Sequence, residues 1–424
     1  MAQVTEVVGK ALKLPDLRQR ILFTVLMFAV FRLGAHVPVP GVDPRVIEAL
    51  FEQGNLFALL DVFSGGALRA FTVFAMSIYP YINASIIMQL LTLVVPTFER
   101  LAKEGEEGRK KLTEYTRYGT VVLGAIQALG VAFFLRSQGA LLGGGGLGSI
   151  LVIVIALTAG TLFLMWIGEQ ITEKGLGNGI SLLVFASIVS RLPSGAAKLW
   201  AYLEGGRISA FNLAVLVALG LLVIALVVAG HEGQRRIPVQ YAKRVVGRRV
   251  YGGQTTHIPV RVSQAGVIPI IFAASILAFP QTVAGFINHP WARAFAGAMS
   301  FGAPLYVFLY AFLIILFTFF YTGVVFNPND VAENIKKWGG FIPGLRPGKP
   351  TAQYLSRVLY RVTFVGALFL ALIAVLPAFF GRLTNIPNLF FGGTALLIVV
   401  GVSLETMKQM EAHLLMRQYQ GFLK

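Results

Sequence analysis

Basic side chains are concentrated in one loop, residues 231–261, which lies between two long uncharged segments. This first basic loop carries seven Lys/Arg against a single acid, Glu232. Guanidinium groups bind phosphates and carboxylates through paired hydrogen bonds, so such a cluster could recognise an acidic partner. Tyrosines and glycines are interleaved with the cations and favour a hairpin that presents them. The predicted docking residues here are Arg235, Arg236, Lys243, Arg244, Arg248 and Arg249.

Two simpler explanations of the first basic loop remain open. It could serve only to mark the cytoplasmic side of a membrane, where loops carry an excess of Lys and Arg. It could instead hold the head groups of anionic lipids. Docking of a large acidic partner, with RNA as one possible surface, is favoured because lipid binding does not require tyrosines and glycines between the cations.

A second basic loop, residues 327–357, presents one arginine in a stiff context. Arg346 lies between Pro343-Gly344 and Pro347-Gly348. Proline and glycine at this spacing prevent a helix and favour extended and turn backbone. Arg346 is therefore either part of an orientation-setting loop or a side chain displayed on a rigid tip for a partner.

Patterns typical of catalysis and metal binding do not occur in the sequence. The chain has no cysteine, and its five histidines are scattered without metal-ligand spacing. It contains no HExxH, GxSxG or P-loop motif. We expect no enzyme activity, no cofactor and no metal.

Composition identifies a membrane protein. Of 424 residues, 56% are hydrophobic and 13% charged, where a soluble domain would have about a quarter charged. A spanning helix needs ~20 mostly apolar residues. Ten segments meet that rule: 21–39, 71–95, 118–135, 150–168, 178–192, 210–230, 262–284, 304–326, 358–380 and 389–407. The fifth is short, with Asn178 as its expected N-cap.

The distribution of cations sets the expected orientation. With both termini inside, 27 of the 36 Lys/Arg lie in cytoplasmic segments and eight on the opposite face. Ten spans divide into two five-helix halves, 1–208 and 209–424. Because five is an odd number, the two halves would have opposite orientations in the membrane. The polar, glycine-rich stretch LDVFSGG before the second span is expected to re-enter the membrane as a short half-helix inside the bundle.

Side chains within the second and third spans are of two kinds. Ile82 and Ile86 share one helical face and would either pack against lipid and helices or form a hydrophobic constriction. Asn83, Gln89 and Gln127 are polar and would face other helices, where weak hydrogen bonds suit a seam that opens. Ionisable residues are scarce in the spans, which disfavours an ion-coupled transporter.

Long blocks of the sequence, in order along nearly the whole chain, resemble the bacterial SecY family, central subunits of the SecYEG protein translocon. They include GGALRAFTVFAMSIYPYINASIIMQLLTLVVP, GLGNGISLLVFASIVSRLP, GQRRIPVQYAKRVVGRRVYGGQTTHIPVRV, AGVIPIIFAASILAFP, GGFIPGLRPGKPTAQYLSRV and FGGTALLIVVGV. The resemblance implies an all-α polytopic membrane protein of ten transmembrane helices, in two inverted halves around a central pore with a re-entrant plug helix.

The resemblance also implies roles for particular residues. The pore ring would be Ile82, Ile86, Ile180, Val184, Ile271 and Ile398, with the place of Ser275 in it undecided. The plug would be Leu60, Asp61, Phe63, Ser64, Gly65, Gly66, Ala67, Leu68 and Arg69. A lateral gate between spans 2–3 and 7–8 would include Asn83, Gln89 and Gln127.

The partners implied by the resemblance are proteins and lipids. The basic loops, with Arg346 and Tyr419, would receive the ribosome and the SecA motor ATPase; SecE and SecG would be small membrane partners. Signal sequences and nascent polypeptides would be the cargo, and anionic lipids the surroundings. The expected function is a protein-conducting channel of the bacterial cytoplasmic membrane. A secondary solute transporter with inverted repeats is the alternative.

Overall fold

The computed structural model describes residues 14–53, 64–142, 145–206, 208–241, 244–246, 249–251, 255–286, 289–299, 303–384 and 393–421. The structure is mainly helical. In the first half of the chain the helices are α1 (Pro15–Gly34), α2 (Pro44–Gln53), α3 (Tyr79–Val94), α4 (Pro96–Lys103), α5 (Glu106–Ser137), α6 (Leu147–Lys174), α7 (Gly179–Ser190) and α8 (Leu192–Glu204).

The second half combines helices with short strands. In order they are α9 (Ala210–Glu232), β1 (Gln234–Tyr241), β2 (Arg244–Val246), β3 (Arg249–Tyr251), β4 (Thr255–Arg261), α10 (Ile268–Phe286), α11 (Pro290–Ala298), α12 (Pro304–Val325), α13 (Pro328–Lys337), β5 (Gly340–Phe341), α14 (Lys349–Thr384) and α15 (Gly393–Gly421).

Each of the ten segments expected to span the membrane overlaps a helix; in order these are α1, α3, α5, α6, α7, α9, α10, α12, α14 and α15. Within the described residues, six helices or continuous helical stretches are long and apolar enough to cross a bilayer. A seventh is added if α3 and α4, which meet at a bend of 99°, count as one span. The chain is a polytopic membrane protein.

Helix α7 begins where the sequence predicts. The Asn178 side chain accepts hydrogen bonds from the backbone N–H groups of Ile180 (3.1 Å) and Ser181 (3.2 Å). These donors have no carbonyl partner within the helix, and an asparagine at the N-cap satisfies them. The capping prediction is confirmed.

The expected second span differs from the structure at its start. Residues 71–78 were predicted to be helical, but the helix begins at Tyr79. Phe71 and Ser77 have φ values of 43° and 52°, which no right-handed helix can contain. Contacts with the neighbouring helices hold this segment. Gly160 of α6 lies so close to it that an added Cβ would stand 1.9 Å from the Val73 carbonyl oxygen.

The two basic loops contain strands, which the expected all-α fold class did not include. β1 pairs antiparallel with β4 along its length and with β5 at its end, giving the order β4-β1-β5. β2 and β3 form a separate hairpin, as the interleaved glycines suggested. Helices α13 and α14 pack beneath the three-stranded sheet and bury the apolar side chains of β1, among them Ile237 and Val239. The membrane part is all-α, and the basic loops add a small α/β unit.

Candidate pore, gate and docking surface

Six aliphatic side chains from four helices lie in, or pack against, one large buried cluster, to which α1, α6, α9, α12 and α14 also contribute. α3 contributes Ile82 and Ile86, which are one turn apart and 4% and 3% exposed. The others in the cluster are Val184 on α7, Ile271 on α10 and Ile398 on α15, with half-buried Ile180 packed against them. These are the six residues expected to form a pore ring, and all of them lie in or against the same cluster. Their role in a pore stays a prediction.

The segment expected to form the plug lies against this cluster. Ala67 is fully buried in it. The carbonyl of Gly65 accepts a hydrogen bond from Nη1 of Arg32 on α1 at 3.2 Å. On the other side Gly65 lies close to α7, where an added Cβ would stand 3.2 Å from Cα of Ser187. The backbone at Gly65 is therefore held between α1 and α7.

A second set of contacts anchors the segment at its other end. Nη2 of Arg69 donates to Oε1 of Glu48 on α2 at 2.9 Å. The Ser64 hydroxyl accepts from the backbone N–H of Leu68 at 3.1 Å. The expected half-helix is wrong for residues 65–70, which form consecutive turns. Gly65 and Gly66 have φ values of +67° and +95°, outside the helical region. The predicted plug residues Leu60, Asp61 and Phe63 lie outside the described residues.

The polar residues expected at a lateral gate are on helices that meet. α10 packs against both α3 and α5. Asn83, Gln89 and Gln127 are half-buried, and Nε2 of Gln89 donates to Ser85 Oγ of its own helix at 3.2 Å. Within the described part of the chain, Gln89 Oε1 and the buried Ser275 Oγ of α10 have no hydrogen-bond partner. Thr158 Oγ1 and Thr161 Oγ1 of α6 are also without a partner among the described residues, so these atoms do not single out a gate, whose place stays a prediction.

The two basic loops present their arginines from one folded unit. Arg235 and Arg236 are exposed on β1, and Arg346 is exposed on the turn between β5 and α14. That turn is closed by a hydrogen bond from Thr351 Oγ1 to the Arg346 carbonyl at 2.8 Å. The prediction of a turn around Arg346 is confirmed. Five other predicted docking residues are not described in full. Lys243 and Arg248 lie outside the described residues, and so do the side chains of Arg244, Arg249 and Tyr419.

An open groove adjoins Arg346. Its volume is about 480 Å³, and it is lined by Lys336, Gly339, Gly340, Phe341, Leu345, Arg346 and Pro347. The two cations lie beside an apolar floor made by Phe341 and Leu345. Such a surface suits a partner that offers carboxylates together with apolar side chains, because each type of group then finds a complement.

Sequence reasoning missed one pair of charged residues. Arg117 was expected in the loop before the third span and Glu169 in the loop after the fourth. Both lie within helices, because α5 and α6 extend beyond the apolar segments at these ends. The two side chains form a double hydrogen bond, at 3.0 and 2.8 Å. Each residue directly adjoins its apolar segment, 118–135 or 150–168, and this is the signal that could have placed both on helices.

Similarity to known proteins decides the family. The SecY family model matches residues 72–407. The SecY subunit of the protein translocase of Halalkalibacterium halodurans is 49% identical over 98% of this chain and 99% of its own length. The chain belongs to the SecY family. That membership supports the channel over the solute transporter considered above.

Solved structures agree with the SecY fold. One is a SecY protein described for a plug domain that stabilises the closed channel; it superimposes with a TM-score of 0.67 at 19% identity, covering 96% of each chain. Another is Sec61 in a canine ribosome-channel complex, with a TM-score of 0.61, 18% identity and 96% coverage of each chain. At these identities the similarity concerns the fold alone.

Proposed function

We propose that this SecY-family chain forms the pore through which a translocase of the bacterial cytoplasmic membrane passes unfolded polypeptides. The observation that supports this best is that the ring candidates of α3, α7, α10 and α15 share one buried cluster with Ala67 of the plug segment. Helices from both halves, 1–208 and 209–424, contribute to it. A ring assembled from separate helices can widen when those helices move apart.

The proposed ring depends on side chains that form no hydrogen bonds and carry no charge. Aliphatic side chains surround a passing polypeptide without specific hydrogen bonds, so any sequence can cross, and a narrow apolar constriction excludes water and ions. We propose no catalytic residue in this chain. The energy for transport then comes from a partner, with the SecA motor ATPase and the ribosome as candidates.

The plug and gate would control two exits from the same pore. In the resting state the residues around Gly65 would close the pore from outside. Signal sequences and apolar segments of nascent chains would leave sideways between α3–α5 and α10–α12. Partitioning into lipid favours leucine-rich segments and disfavours charged ones by about 2.5–3.5 kcal/mol per charge at the bilayer centre. Apolar segments would therefore enter the membrane and polar ones would cross it.

The unit formed by the two basic loops is proposed to face the cytoplasm, together with both termini. Its exposed arginines would receive SecA and the ribosome, and Sec61 seen in a ribosome-channel complex is consistent with that use of the fold. SecE and SecG would bind the helical bundle, and anionic lipids would surround its basic edge. The net charge of +17 favours contact with acidic surfaces such as those proposed for SecA, the ribosome and anionic lipids.

Reconstitution distinguishes a channel from a transporter. The chain, with SecE and SecG, would be placed in liposomes with SecA, ATP and an unfolded preprotein. Protease-protected preprotein should appear inside, in an ATP-dependent manner. Accumulation of a small solute against its gradient without SecA, and no protected preprotein, would overturn the proposal.

A further inference from the structure

An ion pair joins two helices beside the proposed gate. Arg117 on α5 donates from Nε to Oε1 of Glu169 at 3.0 Å and from Nη2 to Oε2 at 2.8 Å. This two-point geometry fixes both the distance and the angle between the side chains. The side chain of Glu169 on α6 is 19% exposed and that of Arg117 is 49% exposed, so water reaches the pair mainly from the Arg117 side.

A third helix reaches the same place. Tyr81 of α3 is half-buried and lies within electrostatic range of both Arg117 and Glu169. It directly precedes Ile82, the first residue of the proposed ring. The ion pair is therefore next to the part of α3 that carries Ile82 and Ile86.

Close backbone packing connects the three helices above the ion pair. An added Cβ at Gly119 of α5 would stand 3.4 Å from Cβ of Ala84 on α3. One at Gly124 would contact both Thr158 of α6, at 3.7 Å, and Pro80 of α3, at 3.9 Å. Small residues let these helices approach closely, and dispersion contacts then hold them. α3, α5 and α6 thus share one contact region along several turns.

From this arrangement we propose that the Arg117–Glu169 pair makes α3, α5 and α6 move as one body when the gate opens. Arg117 and Glu169 are positioning residues, since neither is in the aliphatic cluster. Without the pair, α5 would move independently of α6, and the contact of α3 and α5 with α10 would loosen at rest. This inference rests on the proposed gate lying between those helices.

The test measures the gate directly, in a chain that has no cysteine of its own. Cysteine would replace Gln127 of α5 and, in turn, successive positions of α10 until a disulfide forms in the resting complex. Arg117→Ala and Glu169→Ala should each lower disulfide formation severalfold and increase export of a preprotein with a defective signal sequence. The exchange of both residues, Arg117→Glu with Glu169→Arg, should restore much of the disulfide formation and of the selection against defective signal sequences.

Lys103→Ala is the matched control. It removes another Lys/Arg–carboxylate contact, Lys103–Glu99 at 2.6 Å, which lies within one helix and joins no others. It should leave gate crosslinking unchanged. If Arg117→Ala lowers only the melting temperature, with crosslinking and signal-sequence selection unchanged, the pair is structural and the inference is wrong. A translocating preprotein should also change disulfide formation in the complex that keeps Arg117 and Glu169. If it does not, the proposed gate is misplaced, and this result is distinguishable from failure of the ion-pair inference alone.

Discussion

Gln240, on the strand that follows α9, is paired in register with Phe341, which belongs to the other basic loop. The next pair along the sheet joins Tyr241 to Gly340. Two loops that are far apart in sequence therefore share one sheet, so a partner that binds Arg346 also meets the strand bearing Arg235 and Arg236. Movement of either loop would be transmitted to the other.

The junction of the two loops can be tested at Gly340. An added Cβ there would stand 2.9 Å from Cε1 of Tyr241 and 3.1 Å from Cγ2 of Ile335. We expect Gly340→Val to force β5 away from β1 and to weaken binding of SecA and ribosomes to reconstituted complexes, measured by co-sedimentation. Gly323→Val, the same change on α12 where an added Cβ meets nothing within 4 Å, controls for general damage. Equal binding by wild type and Gly340→Val would contradict a rigid joint surface.

The docking role of the arginines predicts a separate result. Charge reversal by Arg346→Glu, or by Arg235→Glu with Arg236→Glu, should reduce partner binding and make the remainder more sensitive to salt, since exposed charges are screened within about 8 Å at physiological ionic strength. Membrane insertion of the chain should stay normal. Arg45→Glu, on the face predicted to be opposite, should leave binding unchanged; a loss there as large as at Arg346 would point to nonspecific charge effects.

The aliphatic ring predicts a difference between two adjacent isoleucines. Ile86→Ser places a hydroxyl in the buried cluster and should raise the resting ion conductance of the channel in planar bilayers, because the constriction is no longer dry. Ile87→Ser makes the same change at a neighbouring side chain that is 46% exposed on the outer surface of the helix. It should not alter conductance. Equal leaks from both variants would show that Ile86 does not line the pore.

The plug contacts predict a difference between two adjacent glycines. Both have positive φ, so alanine strains the backbone at either position. Gly65→Ala also meets Ser187 and Ser190 of α7, whereas an added Cβ at Gly66 meets nothing within 4 Å. We expect Gly65→Ala to displace the segment and to increase resting ion leakage from liposomes well beyond that of Gly66→Ala. Indistinguishable leakage would mean that the contact with α7 does not seat the plug.

Helix α6 allows a test of stability. Gly160→Ala would place its Cβ 1.9 Å from the carbonyl oxygen of Val73, and backbone cannot yield as a side chain can. Overpacking of this kind costs about 1–3 kcal/mol, so the melting temperature of the purified complex should fall. Gly148→Ala, on the same helix with open space around it, should have no such effect. A similar melting temperature for both variants would show that residues 71–78 do not pack on α6 as described.

Much of the fold was predictable because the membrane restricts what a chain can do. Backbone polar groups have no water in the bilayer, so long apolar segments such as 150–168 and 210–230 must be helices. Short-range rules were sufficient for the N-cap at Asn178 and for the turn around Arg346, since both depend on neighbours within a few residues.

Other features needed contacts between distant residues. Residues 71–78 are apolar and resemble a helix in sequence, but packing against α1 and α6 holds them in turns. The pairing of Gln240 with Phe341 has no signal in either loop alone, because β5 is a strand of two residues that exists only beside β1.

By itself, the sequence determined the class of protein, the positions of the spans and, through resemblance, which side chains to examine. Only the tertiary structure decided that six aliphatic residues from four helices share one buried cluster, and that Arg117 and Glu169 form a pair. The reason is that hydrophobicity and helix propensity act along the chain, whereas a ring, a seam or an ion pair depends on which helices become neighbours.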